Sequence, residues 1–166
     1  MDRCRRILDQ LADPSGTSLG EDFLDLAWSE LEADLLEGVA PEDRVRLVFD
    51  WPPEACGAMP RRGLARALRA VVANALEATA RPGLVRVCAR RGPERWQVEV
   101  LDQGCGMSTE VLARVGEPFF STKPTGSGMG LGLFLARTFA EQLGGELRVA
   151  SAAGSGTTVQ LDWPHA

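Results

Sequence analysis

The 166-residue sequence predicts an α+β fold in two layers, a mixed, largely antiparallel sheet with helices on one face. Two observations predict it. Strand-like segments come in consecutive pairs joined by tight turns at Gly92-Pro93 and Gly154-Ser155-Gly156, the connection antiparallel neighbours use. Helical patterns alternate with those pairs, which excludes a doubly wound parallel sheet.

Residues 2–12 read as a short basic helix carrying Ile7, Leu8 and Leu11, stopped by Asp13-Pro14-Ser15-Gly16. So short a helix is marginal alone, and it reads as the stub of a longer element. A second helix is expected over 21–37, with Phe23, Leu24, Ala27, Leu31 and Leu35 as its apolar stripe. Residues 44–49 have strand character, Val45, Leu47 and Phe49 alternating against Arg44, Arg46 and Val48. A strong helix follows over 60–80, with Leu64, Leu68, Val71, Val72, Ala75 and Leu76 on its core side and Arg81-Pro82-Gly83 closing it. Strands are expected over 84–90 and 95–101. Residues 103–130 form a glycine-rich connection of a length that marks a functional lid or disorder. A helix over 131–143 stops at Gly144-Gly145, and a hairpin of strands 146–151 and 157–163 closes the domain.

Composition narrows the function classes. At 45% hydrophobic and 25% charged residues, the chain has ordinary globular usage and buries a proper core. A net charge of −5 argues against nonspecific nucleic-acid binding, which needs clustered Lys and Arg. The local cluster Arg61, Arg62, Arg66 and Arg69 is expected to form a solvated helix face. No apolar run is long enough to span a bilayer, so a soluble chain is expected. Four separated cysteines, Cys4, Cys56, Cys88 and Cys105, contain no CxxC pair, which fits a reducing, cytoplasmic setting. The single histidine, His165, is penultimate and is expected in the frayed tail, which removes any mechanism built on a His base or His metal cluster in this chain.

The densest signal is the run from Glu117 to Leu133, four glycines and a lysine ahead of a helical pattern. Glycines let backbone amides approach a ligand, and a helix N-terminus beyond them favours an anionic group such as phosphate. Three further features accompany it. Asn74 shares a helix face with Ala67, Ala70 and Ala78; alone it fits either an Asn bonded to a neighbouring loop or an amide oxygen offered to Mg²⁺. Asp102 ends a strand ahead of Gly104 and Gly106, a plain Asx turn or a carboxylate placed to accept from a purine amine. Gly154-Ser-Gly156-Thr157 alone is a hairpin turn.

In combination these segments resemble the N, G1, F and G2 boxes and terminal Gly-Thr of the GHKL ATP-binding family, the Bergerat-type fold of histidine kinases, gyrase, Hsp90 and MutL. The resemblance covers residues 64–164. Glu117-Pro-Phe119-Phe120-Ser-Thr-Lys123, followed by the glycine run, is most similar to sensor histidine kinases. The N-terminal Asp2-Arg-Cys-Arg-Arg-Ile-Leu8 and the lid look closest to the RegB/PrrB-type redox-responsive kinases.

The resemblance implies roles residue by residue. Asn74 would hold Mg²⁺ bridging the triphosphate of ATP. Asp102 would bind the adenine amino group, with Gly104 and Gly106 shaping the base pocket and Thr157 close by. Lys123 and the amides of Gly128, Gly130 and Gly132 would cradle phosphates, with Met129, Leu131 and Leu133 in the lid and Phe119 and Phe120 fixing it. Two departures stand out. Ala70 occupies the place where the hydrolases carry a water-activating Glu, so efficient hydrolysis is not expected. Glu77 replaces a frequent Lys or Arg and is assigned an assisting catalytic role toward the incoming histidine or a metal-bound water.

The resemblance also implies a division into a dimerisation-helix stub and linker (1–16) and an ATP-binding catalytic domain (17–166). The expected reaction is transfer of the ATP γ-phosphoryl group to a His outside this chain, on its own dimerisation and phosphotransfer domain, and then to a response-regulator Asp. The full protein is expected to be a membrane-bound homodimer with this part in the cytoplasm. Cys4, flanked by Arg3, Arg5 and Arg6, is a candidate redox thiol, since neighbouring cations favour thiolate; an incidental surface cysteine is the other reading. The alternatives are a stand-alone GHKL serine kinase of the anti-sigma type and an ATP-binding module without transferase activity.

Overall fold

The computed structural model describes residues 24–54, 57–123 and 129–164. The expectations for the 2–12 helix, Cys4, Cys56, Gly128 and His165 fall outside them. Two strands, β1 (Leu24–Asp25) and β3 (Ala58–Met59), pair antiparallel beside the main sheet. That sheet has the order β2-β4-β5-β7-β6, from β2 (Leu47–Asp50), β4 (Val85–Arg91), β5 (Arg95–Asp102), β7 (Thr157–Pro164) and β6 (Glu146–Ser151). Among the described residues only the β2–β4 pairing is parallel. The α+β architecture with a mixed, largely antiparallel sheet is as the sequence predicts.

Among the described residues the helices are α1 (Trp28–Leu36), α2 (Pro41–Arg44), α3 (Arg61–Ala78), α4 (Thr109–Leu112) and α5 (Gly132–Gln142). Leu64, Leu68, Val71, Val72 and Ala75 recur at helical spacing on α3 and are buried, so α3 is the spine of the helical layer. Burying each of these leucines contributes about 1.5–3 kcal/mol. Their partners are the inward residues of the sheet: Val85 and Val87, Trp96, Val98 and Val100, Val159, Leu161 and Trp163. α3 packs against α5 and α1, and α5 lies over β6 and β7. At the α3–α5 crossing a Cβ on Gly63 would fall 2.5 Å from the Phe139 ring, so the helices approach as closely as a glycine permits.

Four expectations are corrected. The helix expected over 21–37 begins at Trp28, because Leu24–Asp25 pairs with Ala58–Met59 instead. The strand expected from residue 44 begins at Leu47. Val45 is 80% exposed, and Arg46, expected to point outward, is 6% exposed. The Arg46 guanidinium caps the C-terminal end of α3. It donates to the Thr79 carbonyl at 2.6 Å and the Gly83 carbonyl at 3.0 Å, and pairs with Asp43 at 2.8 Å. The connection over 103–130 contains α4, opened by Ser108, whose hydroxyl accepts from the Val111 amide. The arginine cluster is not simply solvated: Arg61 pairs with Asp34 and Glu30, and Arg69 with Glu37, joining α3 to α1 and the residue that follows it. The Arg61 hydrogen bond holds the Asp34 carboxyl below its ordinary value.

Candidate nucleotide site

A cavity of about 590 Å³, the size of a small-molecule site, opens between the end of the sheet and the α3–α5 layer. Its walls come from three directions. Thr157 and the loop after β5 form one wall, Asn74 and Ala78 on α3 the second, and the segment leading into α5 the third. Met107, Val111 and Val115 add an apolar side from the α4 region.

Strand register builds the first wall. Asp102, Thr157 and Ser151 are neighbours across β5, β7 and β6, on the face turned to the helices. Asp102 Oδ1 accepts from the Gly104 amide at 2.8 Å and the Thr157 amide at 3.1 Å. Burial pushes the Asp102 carboxyl above its ordinary value, opposed by those two amides. Its other oxygen, Oδ2, has no hydrogen-bond partner among the described residues, so the carboxylate keeps an acceptor free. Gly106, at φ 65°, brings the loop within reach of the β6–β7 hairpin, where a Cβ would fall 1.9 Å from the Ala152 carbonyl oxygen. Cys105 is exposed on the cavity wall.

The opposite wall is cationic. α5 starts at Gly132 with no side-chain cap, so its first-turn amides and dipole end are open to the cavity that Gly130, Leu131, Gly132 and Leu133 line. Gly130, at φ 66°, holds this segment on the preceding loop: its carbonyl accepts from the Phe119 amide at 3.1 Å. A Cβ there would fall 2.6 Å from the Phe120 carbonyl oxygen. Phe120 lies under the Arg114 guanidinium at 4.2 Å, and Arg114 pairs with Glu117 at 3.2 Å, which ties the aromatic loop to the end of α4. Phe119 is half-exposed with φ 65°, a strained conformation for a residue with a side chain.

Lys123 joins the two helical walls. Its Nζ donates to Asn74 Oδ1 at 3.0 Å and pairs with Glu77 on the same helix. The amide oxygen singled out as a metal ligand is therefore bonded to a cation, and Asn74 is half-buried.

Of the residues singled out from sequence, the structure lines one cavity with Asn74, Gly106, Phe120, Lys123, Met129, Gly130, Leu131, Gly132 and Thr157. Asp102 and Gly104 stand behind the wall, reaching it through the Thr157 and Asp102 bonds described above. Glu77 lies outside the lining, exposed, and touches the site through Lys123. Sequence reasoning missed Val111 and Val115, whose helical spacing after Ser108 was legible, and Ser151, which carries no local signal.

An acceptor-rich end and a cationic helix terminus in one cavity define a nucleotide-binding domain of the helix-on-sheet type. The comparisons make this specific. A profile of the "Histidine kinase-, DNA gyrase B-, and HSP90-like ATPase" family matches residues 59–166, and the chain belongs to that family.

The relatives it resembles are sensor kinases. Histidine protein kinase DivJ of Caulobacter vibrioides is 39% identical over 132 residues, covering 78% of this chain and 20% of that protein. Sensor histidine kinase ZraS of Klebsiella oxytoca is 38% identical over 115 residues, covering 68% of this chain and 24% of that protein. The chain thus spans about a fifth to a quarter of these relatives. Among solved structures, the mycobacterial sensor histidine kinase MprB superposes with a TM-score of 0.70 at 27% identity, covering 86% of this chain and 97% of that one. The catalytic domain of histidine kinase ThkA, at 23% identity and a TM-score of 0.73, shares the fold. Among the described residues no helix is long and apolar enough to cross a membrane.

Proposed function

We propose that this domain binds ATP with Mg²⁺ and transfers the γ-phosphoryl group to a histidine on a dimerisation domain outside the chain, which then passes it to a response-regulator aspartate. The observation that carries this reading is one cavity with Thr157, tethered to the Asp102 carboxylate behind it, at one end and the α5 terminus with Lys123 at the other. The acceptors suit the amino group of adenine; the amides and the ammonium suit a polyphosphate. The kinase relatives and their common fold support the phosphoryl-transfer chemistry over the serine-kinase and binding-only alternatives.

The residues present fit Mg²⁺. Asn74 Oδ1 already faces a cation, and a magnesium site of this kind needs few protein oxygens beside phosphate and water. Bound there, Mg²⁺ would neutralise charge on the triphosphate. Asn74 would hold it, Lys123 and the α5 amides would orient the phosphates, and Met107, Val111 and Val115 would keep water from the base. Ala70 stands where the hydrolases carry a water-activating Glu, so transfer to an acceptor is favoured over hydrolysis.

We further assign the domain to the cytoplasmic side of a membrane-bound, homodimeric sensor. Sensor histidine kinase RegB of Cereibacter sphaeroides aligns over 98% of the chain at 28% identity, which supports a redox-responsive type with Cys4 as its thiol. Incubation with γ-labelled ATP and a separate His-bearing dimerisation fragment tests the reaction. Label on that histidine is expected; label on a serine of an antagonist protein, or on nothing, would contradict it.

A further inference from the structure

Ser151 belongs to none of the sequence motifs, yet its hydroxyl is the hub of the cavity's acceptor end. It closes β6, opposite Thr157, which itself stands opposite Asp102. Three groups meet this hydroxyl: the Gly156 carbonyl oxygen at 2.8 Å, the Met107 amide nitrogen at 2.9 Å and Thr157 Oγ1 at 3.0 Å. Two of the three roles are fixed by chemistry. A carbonyl oxygen only accepts, an amide N–H only donates, and a hydroxyl has one hydrogen and two lone pairs. The Ser151 hydrogen therefore goes to Gly156, and one lone pair takes the Met107 N–H. The lone pair that remains requires Thr157 to donate. Thr157 Oγ1, on the cavity wall, then has only lone pairs left for a ligand.

We infer that Ser151 is a positioning residue that fixes the Thr157 hydroxyl as an acceptor and so selects a purine with an amino rather than an oxo group at position 6. The inference rests on reading the cavity as a purine-nucleotide site. Asp102, when ionised, is an acceptor too, so neither side chain of this pair offers a donor to an oxo group. A bridging water that gives its two hydrogens to Asp102 and Thr157 turns lone pairs to the base and likewise demands a donor. Without Ser151 the Thr157 hydrogen is free to rotate toward the base, and an oxo purine gains a partner.

The test is calorimetric titration of ADP and IDP into the 166-residue chain, as wild type, Ser151→Ala and Ser151→Thr. Wild type is expected to prefer ADP. In Ser151→Ala the ratio of IDP to ADP dissociation constants should fall about ten-fold, with ADP affinity changed less than about three-fold. Ser151→Thr, which keeps a hydroxyl, should keep the wild-type ratio, a rescue that a purely structural role would not require. Should Ser151→Ala fail to fold, Thr157→Val removes the same lone pairs and should lower the ratio as well. An unchanged ratio in whichever variant folds would overturn the proposal, as would equal binding of ADP and IDP by wild type. Wild type that bound neither nucleotide would overturn the nucleotide reading itself, and this inference with it.

Discussion

Lys123 donates its ammonium to Asn74 Oδ1 at 3.0 Å. The lid lysine thus occupies the side-chain oxygen that the proposed mechanism gives to Mg²⁺, and Glu77 holds the lysine there. A metal and this lysine cannot both take the same lone pair directed at Nζ. Were Mg²⁺ to take that lone pair, Lys123 would be released toward the phosphates.

The consequence is separable by ligand. Lys123→Met should weaken ADP·Mg²⁺ about ten-fold, since one charge-assisted phosphate contact is lost, and leave adenosine binding unchanged. Calorimetric titration of both ligands checks this. Equal losses for both would mean that Lys123 shapes the base end or the fold instead.

Glu77→Gln should be nearly silent for stability. The Glu77 side chain is 57% exposed, so screening by water limits its pair with Lys123 to less than about 1 kcal/mol. Denaturant unfolding measures the change. Nucleotide affinity should rise modestly, because Lys123 is released from a competing carboxylate; a fall would assign Glu77 a direct role toward ligand or metal.

Arg46→Ala should be strongly destabilising, by about 3 kcal/mol or more. It removes a buried guanidinium and strands the Thr79 and Gly83 carbonyls, while Asp43 keeps Arg81 at 3.0 Å. Thermal and denaturant unfolding report it directly. A surface arginine, as the alternation over 44–49 suggested, would cost almost nothing.

Asp102 links stability to pH in a direction opposite to most paired carboxylates. Burial raises its value in the folded chain, so the folded state holds the proton more tightly than the unfolded one. Its contribution to stability is therefore greatest in acid and declines as pH rises from the ordinary carboxylate value through the raised one. Asp102→Asn, which keeps an oxygen for the Gly104 and Thr157 amides, should match or exceed wild-type stability at neutral pH. That advantage should vanish in acid. Paired unfolding curves across pH provide the check; an advantage that grew in acid would contradict the sign.

The sheet was legible in the sequence wherever one face is buried along a whole strand. Val98 and Val100, or Val159 and Leu161, alternate with polar residues, and the turns at Gly92 and Gly154 fix where the pairing reverses. Segments whose structure depends on distant partners were not. Leu24–Asp25 fits a helical stripe as well as a strand, and only Ala58–Met59 decides it. Arg46 is buried because the α3 carboxyl end and Asp43 satisfy it, and residue type alone cannot announce that.

Within the site, the glycine run, Asn74, Asp102 and Thr157 carry their own chemistry and were readable. Ser151 was not, because its importance lies in register: a serine at a strand end becomes informative only when its neighbours across the sheet are known.

The account's central claim is that Asp102 anchors an adenine site, and ATP·Mg²⁺ titration of wild type against Asp102→Ala tests it most directly. A loss of affinity of about ten-fold or more is predicted, since the substitution removes the acceptor for the base and the tether for Thr157. Equal affinity of the two proteins would contradict it.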